Sequence, residues 1–405
     1  MSSHDLFPCM YEWMSDMDVS LAGNLRRWAE SELMEKRLEL KEDYAALLAP
    51  AMRKLFCDIG LQRLFWPEAH GGDGHNSPSA AYTMVAALEQ VARGDTGIAL
   101  LLSSLWALQT CVATEGHVNE EACEALSPVI TSNDAPAIVA LVLPLFRDVP
   151  QAKAKLSRGS WSVEAEKARP ASSGADASVF AVLCALEGAD DPGDALGIVA
   201  IPGDAKGIKR GSAFLKTGLA ADRNADVEIA KVKAPEVMCV ARGIEACRSA
   251  LAWFYLGVSA SNVGALFACY EILKEWGDNR VIKGKGNIFK DNPLTAAVMA
   301  EVAKEISVDR LLTCDLARVL AEPAIYGPAG AEANFVTASM VAHQVAQSAE
   351  KAIGNAMEMM ASAGYATEWN LERYWRDTKT MQLCVGPYEL AKMDVARYFY
   401  QSQAR

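Results

Sequence analysis

The hydrophobic periodicity of the sequence changes twice, and this change restricts the chain to few folds. Up to about residue 125 the apolar residues recur at helical spacing, as in the segment 40–56, and the helical pattern returns after residue 237. Between these parts the apolar runs are short and alternate with turns, which is typical of β-strands. We therefore predict an α+β multidomain chain with an N-terminal all-α domain (1–125), a middle β-barrel domain (126–237) and a C-terminal four-helix bundle (238–405).

Single residues predict several helix ends. Pro50 lacks the amide hydrogen that a helix interior needs, so we expect it to divide the segment 40–56 into two helices. Gly60 is expected to end the second of them. One long helix is predicted from Ser79 to about Glu115. The bundle helices are predicted at 243–275, 294–321, 331–363 and 386–402.

Composition excludes disorder and several kinds of partner. Hydrophobic residues make up 51% of the chain and charged residues 22%, which is enough apolar material for a large core. The formal net charge is −12, and this acidic balance argues against nucleic acid as a partner. No uninterrupted apolar run reaches the roughly 18 residues of a membrane span. We therefore predict neither a nucleic-acid complex nor a membrane span.

The cysteines and histidines give no metal-binding pattern. None of the ten cysteines stands in a C-x-x-C pair, and the five histidines are scattered. No metal site is therefore predicted. The N-terminus also lacks the pattern of a secretory signal. A reduced, cytoplasmic protein with cysteines in its core is the simplest interpretation.

Two motif blocks lie far apart in the chain. Residues 60–74 contain a helix end, then Pro-Glu and a Gly-Gly-x-Gly loop, followed by a Glu-Gln-Val-Ala-Arg-Gly-Asp-Thr-Gly stretch at 89–97. Residues 363–379 contain Gly-Tyr, Glu-Arg and Arg-Asp-x-Lys in that order. In this order and at these distances the blocks resemble the acyl-CoA dehydrogenase family, and the resemblance covers essentially the whole chain. Such a match predicts the fold more firmly than the activity.

The resemblance implies a flavoprotein that binds FAD between the subunits of a dimer or a dimer of dimers. In the family an acyl-CoA thioester lies against the flavin, a glutamate removes the α-proton and a hydride passes to the flavin. The electrons then go to an electron-transferring flavoprotein. This chemistry needs a carboxylate in a dry pocket and hydrogen-bond donors on the thioester oxygen.

The position of the usual base carries no carboxylate. The family's Tyr-Glu-Gly-Thr turn matches Cys384-Val-Gly-Pro, so Val385 stands where the base is expected and cannot accept a proton. In some members the base precedes an arginine on an earlier helix, and that arginine matches Arg248. Glu245 is the alternative base. It lies two residues before Cys247, which precedes Arg248, and is therefore about 200° away around this helix. The resemblance implies that Arg248, Val385 and Gly386 contact the substrate.

The cofactor motifs are altered as well. The family's Gln-x-x-Gly-Gly, which holds the ADP half of FAD, matches Glu358-Met-Met-Ala-Ser, so Glu358, Ala361 and Ser362 are the expected contacts. A carboxylate beside a pyrophosphate is unfavourable unless a cation offsets it. Pro387 replaces the threonine that touches the flavin dinucleotide.

Two further flavin motifs are replaced, whereas a basic segment is kept. Leu143-Pro144 stands in place of Thr-Glu-Pro, and residues 169–174 replace a Trp-Ile-Thr motif. Arg280 and Lys285 resemble the basic segment that one subunit extends to its neighbour's FAD. Arginine suits phosphate, so a pyrophosphate contact and a solvated loop charge remain open for Arg280.

Other charged or reactive residues are interpreted as structural. Arg373 and Asp377 of the second block are expected to form an ion-pair network. Cys384 is expected to be a buried, inert thiol, and His70 a surface residue of a turn.

These observations support two hypotheses on function. In the first, the chain is the divergent subunit of a heteromeric, FAD-dependent acyl-CoA dehydrogenase, and a homologous subunit supplies the glutamate. In the second, it is a self-sufficient homotetramer with a relocated base that acts on an aromatic or dicarboxylic acyl-CoA. The joint loss of several site residues favours the first. A flavin-free scaffold is a third, weaker hypothesis.

Overall fold

The computed structural model describes residues 13–36, 44–114, 116–144, 150–189, 191–281 and 288–402. Within these ranges a helical N-terminal part is followed by a sheet and then by a second helical part. The predicted fold class is therefore confirmed. The cores of the three parts are continuous, since one cluster of buried apolar side chains includes members of all of them.

The helices of the described residues differ widely in length. We number them in chain order: α1 Asp16–Ala29, α2 Ala45–Arg53, α3 Ala80–Gly94, α4 Thr96–Val112, α5 Glu120–Ile130, α6 Ile244–Asn279, α7 Pro293–Ala321, α8 Glu332–Met360, α9 Leu371–Met381 and α10 Tyr388–Tyr400. A single helical turn, Pro323–Tyr326, connects α7 to α8.

The strands form one small and one large sheet. They are β1 Ala113–Thr114, β2 His117–Val118, β3 Val139–Val142, β4 Ala152–Ser157, β5 Ser160–Ala168, β6 Val179–Glu187, β7 Leu196–Pro202, β8 Ile208–Arg210, β9 Val227–Pro235 and β10 Cys239–Arg242. The first two pair with each other, and the other eight pair in the order β10-β7-β6-β4-β5-β9-β8, with β3 parallel to β6. Strand β6 pairs with three neighbours and is buried along most of its length.

Helix α6 lies at the centre of the helical parts. It packs against α3 and α4 from the N-terminal part and against α7 and α8 from the C-terminal part. By length and hydropathy it could cross a membrane, but 94% of its most apolar 18-residue window is buried inside the protein. Contacts on all sides explain why the helix is apolar all round, as a core helix is.

The predicted long helix from Ser79 to Glu115 is wrong, because the chain breaks it at Asp95. Helix α3 ends at Gly94 and α4 begins at Thr96. The Asp95 carboxylate accepts a hydrogen bond of 2.8 Å from the Ile98 amide and so caps α4. In one continuous helix the Ile98 amide would donate to a backbone carbonyl, and here the Asp95 carboxylate accepts its hydrogen bond instead. The same carboxylate contacts Arg373 in the C-terminal part.

Pro50 does not divide its segment, contrary to our prediction. It lies inside α2, which continues to Arg53. Gly60 does end the helical segment, with the positive φ of 89° that glycine adopts without strain. Near the predicted domain limits, α5 runs across residue 125, and β10 extends the sheet beyond residue 237.

Candidate functional site

The sheet and the C-terminal helices border an open cavity of about 690 Å³. One wall comes from the end of β3 and from the loops that follow β5 and β8, the other from α6, α8, the 383–387 turn and α10. Leu143, Pro144, Val385, Gly386 and Pro387, which the sequence placed at a flavin and substrate site, all line this cavity. The fold therefore brings residues around 143 and residues around 386 together at one cavity.

The turn at 383–387 gives the cavity an apolar wall. Val385 is buried, and Gly386 has a φ of 87°, which favours glycine. Burial raises the pKa of the neighbouring Cys384 thiol to about 12. This thiol stays protonated near neutral pH, as expected for an inert cysteine.

Glu245 and Arg248 lie at the start of α6 and do not line the cavity. Glu245 is exposed in the first turn of the helix. Arg248 forms an ion pair of 3.2 Å with Glu332 and lies 5.7 Å from the ring centre of Phe335, which does line the cavity. Arg248 therefore adjoins the cavity through Phe335, and Glu245 stays apart from it.

Two cations in the cavity wall are already paired with carboxylates. Arg169 forms a two-pronged contact with Asp226, at 2.8 and 3.1 Å. The Lys216 ammonium lies 2.7 Å from the buried carboxylate of Asp222. Because their charges are compensated, these cations offer little to a second anion.

A buried histidine faces the same cavity. His343 of α8 is only 5% exposed, and its Nδ1 lies 2.7 Å from the Ser339 carbonyl oxygen. Its ring packs against Tyr255 of α6 and Tyr388 of α10, with ring centres 6.4 and 6.0 Å away. Its second nitrogen, Nε2, has no hydrogen-bond partner among the described residues. Burial lowers the pKa of His343.

A second cavity of about 360 Å³ lies at the other end of α6. Arg280, Ala361 and Ser362, three of the predicted cofactor contacts, line it together. Arg280 stacks on Trp276, 4.6 Å from the ring centre, and the buried Trp276 Nε1 has no hydrogen-bond partner within the described chain. An arginine, an indole N–H without an acceptor and aromatic walls fit the diphosphate end of a dinucleotide, provided that Arg280 offsets the charge of Glu368, which also lines the cavity.

Glu358 is exposed in the last turn of α8 and accepts a hydrogen bond from the Tyr365 hydroxyl. It is not part of the lining of the second cavity. The predicted contact Lys285 lies outside the described residues. The basic segment is therefore represented in the structure by Arg280.

Ala361 keeps a backbone conformation that belongs to glycine. Its φ is 51° and its ψ −133°, at one of the positions where the family motif has Gly-Gly. A side chain in this region costs on the order of 1–3 kcal/mol. Ala361 therefore occupies a backbone conformation that glycine would adopt without strain.

We expect Ala361→Gly to raise the free energy of unfolding by about 1 kcal/mol, since relief of the strain exceeds the entropy that glycine loses on folding. Urea denaturation measures the change. Ala363→Gly, two residues on and with no positive φ, is the control and should lower stability by about 0.5–1 kcal/mol. Destabilisation by both changes would contradict the interpretation.

Arg373 forms a buried structural network, as the sequence predicted. Its guanidinium contacts Asp95 at 3.1 Å, Asp377 at 3.3 Å and the Gly94 carbonyl at 2.9 Å. Asp377 in turn accepts a hydrogen bond of 2.5 Å from the Leu219 amide. The network joins α9, the α3–α4 junction and the loop between β8 and β9, and it lines neither cavity.

Sequence reasoning did not identify His343 or Trp276. Both lie on long helices whose spacing predicts a core side chain. The spacing of Phe335, Ser339 and His343, four residues apart, does put them on one helical face, but only the fold shows that this face borders a cavity.

Comparison with known proteins identifies the class of this chain and then its family. A chain from the structure of the electron transferring flavoprotein of Acidaminococcus fermentans has a TM-score of 0.78 at 17% identity and covers 96% of this chain and 99% of its own length. Glutaryl-CoA dehydrogenase from Mycobacterium smegmatis in complex with FADH2 has a TM-score of 0.78 at 17% identity, with coverage of 100% and 99%. At this identity the likeness shows the fold.

The family follows from sequence profiles. The acyl-CoA dehydrogenase N-terminal domain profile matches residues 16–132, and the C-terminal domain profile matches residues 241–399. Cyclohexane-1-carbonyl-CoA dehydrogenase of Syntrophus aciditrophicus (strain SB) is 21% identical over 375 residues, which are 91% of this chain and 93% of that protein. The chain belongs to the acyl-CoA dehydrogenase family, as the sequence motifs predicted.

Proposed function

We propose that this chain takes part in the FAD-dependent α,β-dehydrogenation of an acyl-CoA thioester. One observation carries the proposal: the turn that holds the base in the family borders a large, mostly apolar cavity between the sheet and the helices. Apolar walls at this turn suit removal of a proton next to a thioester, because electrostatic interactions are stronger beside apolar groups than in bulk water.

The second cavity supports FAD as the cofactor. Arg280, Trp276 and Ser362 would hold its diphosphate end, with charge from the guanidinium and donors from the indole and hydroxyl groups. Bound FAD supplies the acceptor for the hydride that leaves the β-carbon.

The chain's own residues bind and orient the acyl group in the first cavity. Leu143, Leu251, Phe335 and Leu390 give it hydrocarbon walls. The backbone of Val385 and Gly386 borders the same space and can contact the thioester. Arg169 and Lys216 are compensated by Asp226 and Asp222. An aromatic or alicyclic acyl group therefore suits this cavity better than a dicarboxylic one.

In the heteromeric form of the proposal, this chain is the divergent subunit and a homologous subunit supplies the glutamate. Two observations support this form. Val385 leaves the turn without a carboxylate, and Glu245, the alternative base, is exposed and absent from the cavity lining. An assembly as a dimer of dimers belongs to this proposal.

In the self-sufficient form, the chain works as a homotetramer with a relocated base. A specific observation favours this form: the cavity holds a buried histidine whose Nε2 has no hydrogen-bond partner among the described residues. A neutral imidazole of this kind can accept a proton.

The proposal also includes an electron-transferring flavoprotein as electron acceptor and the cytoplasm as compartment. A chain of similar fold comes from the structure of an electron transferring flavoprotein, which supports such a flavoprotein as the electron acceptor. The nine cysteines of the described residues are all free thiols, which suits a reducing compartment.

The test begins with the visible absorption spectrum of the purified chain and its oxidation of 3-phenylpropanoyl-CoA and cyclohexanecarbonyl-CoA, an aryl and an alicyclic ester that both carry α- and β-hydrogens. Flavin absorption and turnover by the chain alone support the self-sufficient form. If flavin absorption and turnover are seen only after co-expression with a homologue that has the glutamate, they support the heteromeric form. A chain that binds neither FAD nor acyl-CoA in either preparation would overturn the proposal.

We expect Arg280→Met to weaken FAD binding about tenfold or more, because a charge-assisted hydrogen bond to phosphate contributes roughly 1.5–3 kcal/mol. The flavin that remains after dialysis measures the effect. Lys274→Met is the matched control: Lys274 lies on α6, the helix that Arg280 follows directly, and is exposed, paired with Asp278 and outside the cavity. Equal flavin retention by both variants would exclude Arg280 as a contact.

A further inference from the structure

His343 is the group of the first cavity that can take the place of the missing carboxylate. A histidine on a buried helix face normally satisfies both ring nitrogens or points to water. Here Nε2 makes no hydrogen bond to a described residue, although the Gly386 backbone lies near enough to the ring to raise its pKa and only 5% of the residue is exposed. The residue lines the same cavity as Val385 and Gly386. Such a group is available to a bound ligand.

The hydrogen bond at the other nitrogen determines the tautomer. A carbonyl oxygen can only accept a hydrogen bond, so Nδ1, at 2.7 Å from the Ser339 oxygen, carries the hydrogen. In the neutral ring Nε2 then has a lone pair and no hydrogen. Burial lowers the pKa of His343, while the backbone groups of Ser339 and Gly386 and the charge of Asp394 act in the opposite direction. The neutral form therefore predominates at neutral pH.

Aromatic neighbours fix the orientation of the ring. Tyr255 of α6 lies edge-on to it, and Tyr388 of α10 lies at a tilt on it. Asp394, one to two turns after Tyr388, also lines the cavity and stabilises a positive charge on the ring. A positioned neutral imidazole with a nearby carboxylate has the parts that a general base needs.

We propose that Nε2 of His343 is the proton acceptor of this cavity, in place of the glutamate missing at Val385. The bond between hydrogen and the carbon next to the thioester breaks, and its electron pair enters the thioester as an enolate. The proton goes to Nε2, so His343 becomes an imidazolium beside Asp394. This inference rests on the proposed function, since it requires an acyl thioester in the first cavity.

Phenylacetyl-CoA isolates this step from flavin chemistry. Its α-carbon is acidified by the ring, and the carbon that follows bears no hydrogen to lose as a hydride. The probe can therefore exchange its α-hydrogens but cannot be dehydrogenated. Incubation with the purified protein in D₂O, followed by mass spectrometry of the probe, measures proton abstraction alone.

We expect His343→Gln to slow this exchange about 100-fold or more, which is the usual contribution of a general base. Glutamine keeps much of the volume of the side chain but is not a base. His117→Gln is the matched control, because His117 is exposed in the short strand β2, outside both cavities. Calorimetric titration with the same probe should give the same affinity for all three proteins.

A second variant and a measurement on the native protein distinguish loss of the base from misfolding of a variant. Exchange by His343→Ala should recover when imidazole is added, because the free base can enter the vacated space. In the native protein, phenylacetyl-CoA should protect His343 from acylation by diethyl pyrocarbonate, as located by peptide mass spectrometry, whereas His117 should react in either case.

The outcomes separate the two proposals. If the native protein binds neither this probe nor the acyl-CoA esters named above, alone or with the homologous subunit, the proposed function fails and the inference fails with it. If it binds those esters but not the probe, the proposed function stands and the inference fails, because His343 then has no α-carbon of this class before it. If the probe binds but its exchange is absent, or is equally fast in His343→Gln, the proposed function stands and His343 is not the proton acceptor.

Discussion

Replacement of Arg373 by methionine is expected to lower the free energy of unfolding by about 3–5 kcal/mol. The change removes the cation that lies 3.1 Å from Asp95 and 3.3 Å from Asp377, and both carboxylates are almost fully buried. Methionine fills part of the space but cannot compensate two charges. The urea midpoint at pH 7 measures the loss.

Arg376 provides the control on the same helix. It is about one-third exposed and pairs with Glu372 at 2.8 Å. Arg376→Met should lower stability by about 1 kcal/mol or less, since partly exposed ion pairs contribute little. A similar loss in both variants would mean that the Arg373 network contributes no more than an ordinary surface pair.

The second large effect concerns Asp309, a buried carboxylate between α7 and α8. Burial raises its pKa to about 7, the Ser348 hydroxyl opposes this shift, and Glu305 adds to it. The unfolded chain titrates near 3.8. Between these values the folded state binds the proton more tightly than the unfolded state does. Stability therefore falls as the pH rises through this window, and the full cost remains above pH 7.

Asp309→Asn should remove this dependence. From the shift we expect this group alone to lower the free energy of unfolding of the native protein by about 3 kcal/mol between pH 5 and pH 8. The variant should lose that slope in urea titrations at several pH values. Asp315→Asn, exposed on the same helix and paired with Arg318, should keep it. An unchanged slope in Asp309→Asn would contradict the assignment.

The fold could be predicted because the two periodicities are physically distinct. A helical face repeats about every 3.6 residues and a strand face every 2, so the change of pattern shows where the sheet begins and ends. The helix break at Asp95 was missed although Gly-Asp-Thr-Gly contains a good N-cap residue. The apolar pattern runs on through it, and the contact of Asp95 with Arg373, which is distant in sequence, adds to the cap in the folded chain.

The site was predictable where it lies on one stretch of chain and not where it depends on distant residues. The turn at Val385–Pro387 could be placed by its motif. His343 and Tyr255 meet across two helices that are 88 positions apart in the sequence. No local pattern records that approach, because helical spacing determines which face a residue occupies but not what the face will pack against.

Helix α6 has a consequence for the number of chains needed per cofactor. Tyr255 borders the first cavity and Trp276 the second, and a rise of 1.5 Å per residue separates them by about 32 Å. A single extended dinucleotide is shorter than this segment of α6. If one molecule of FAD touches both kinds of cavity, they must belong to different chains, and the flavin should dissociate when dilution separates the subunits.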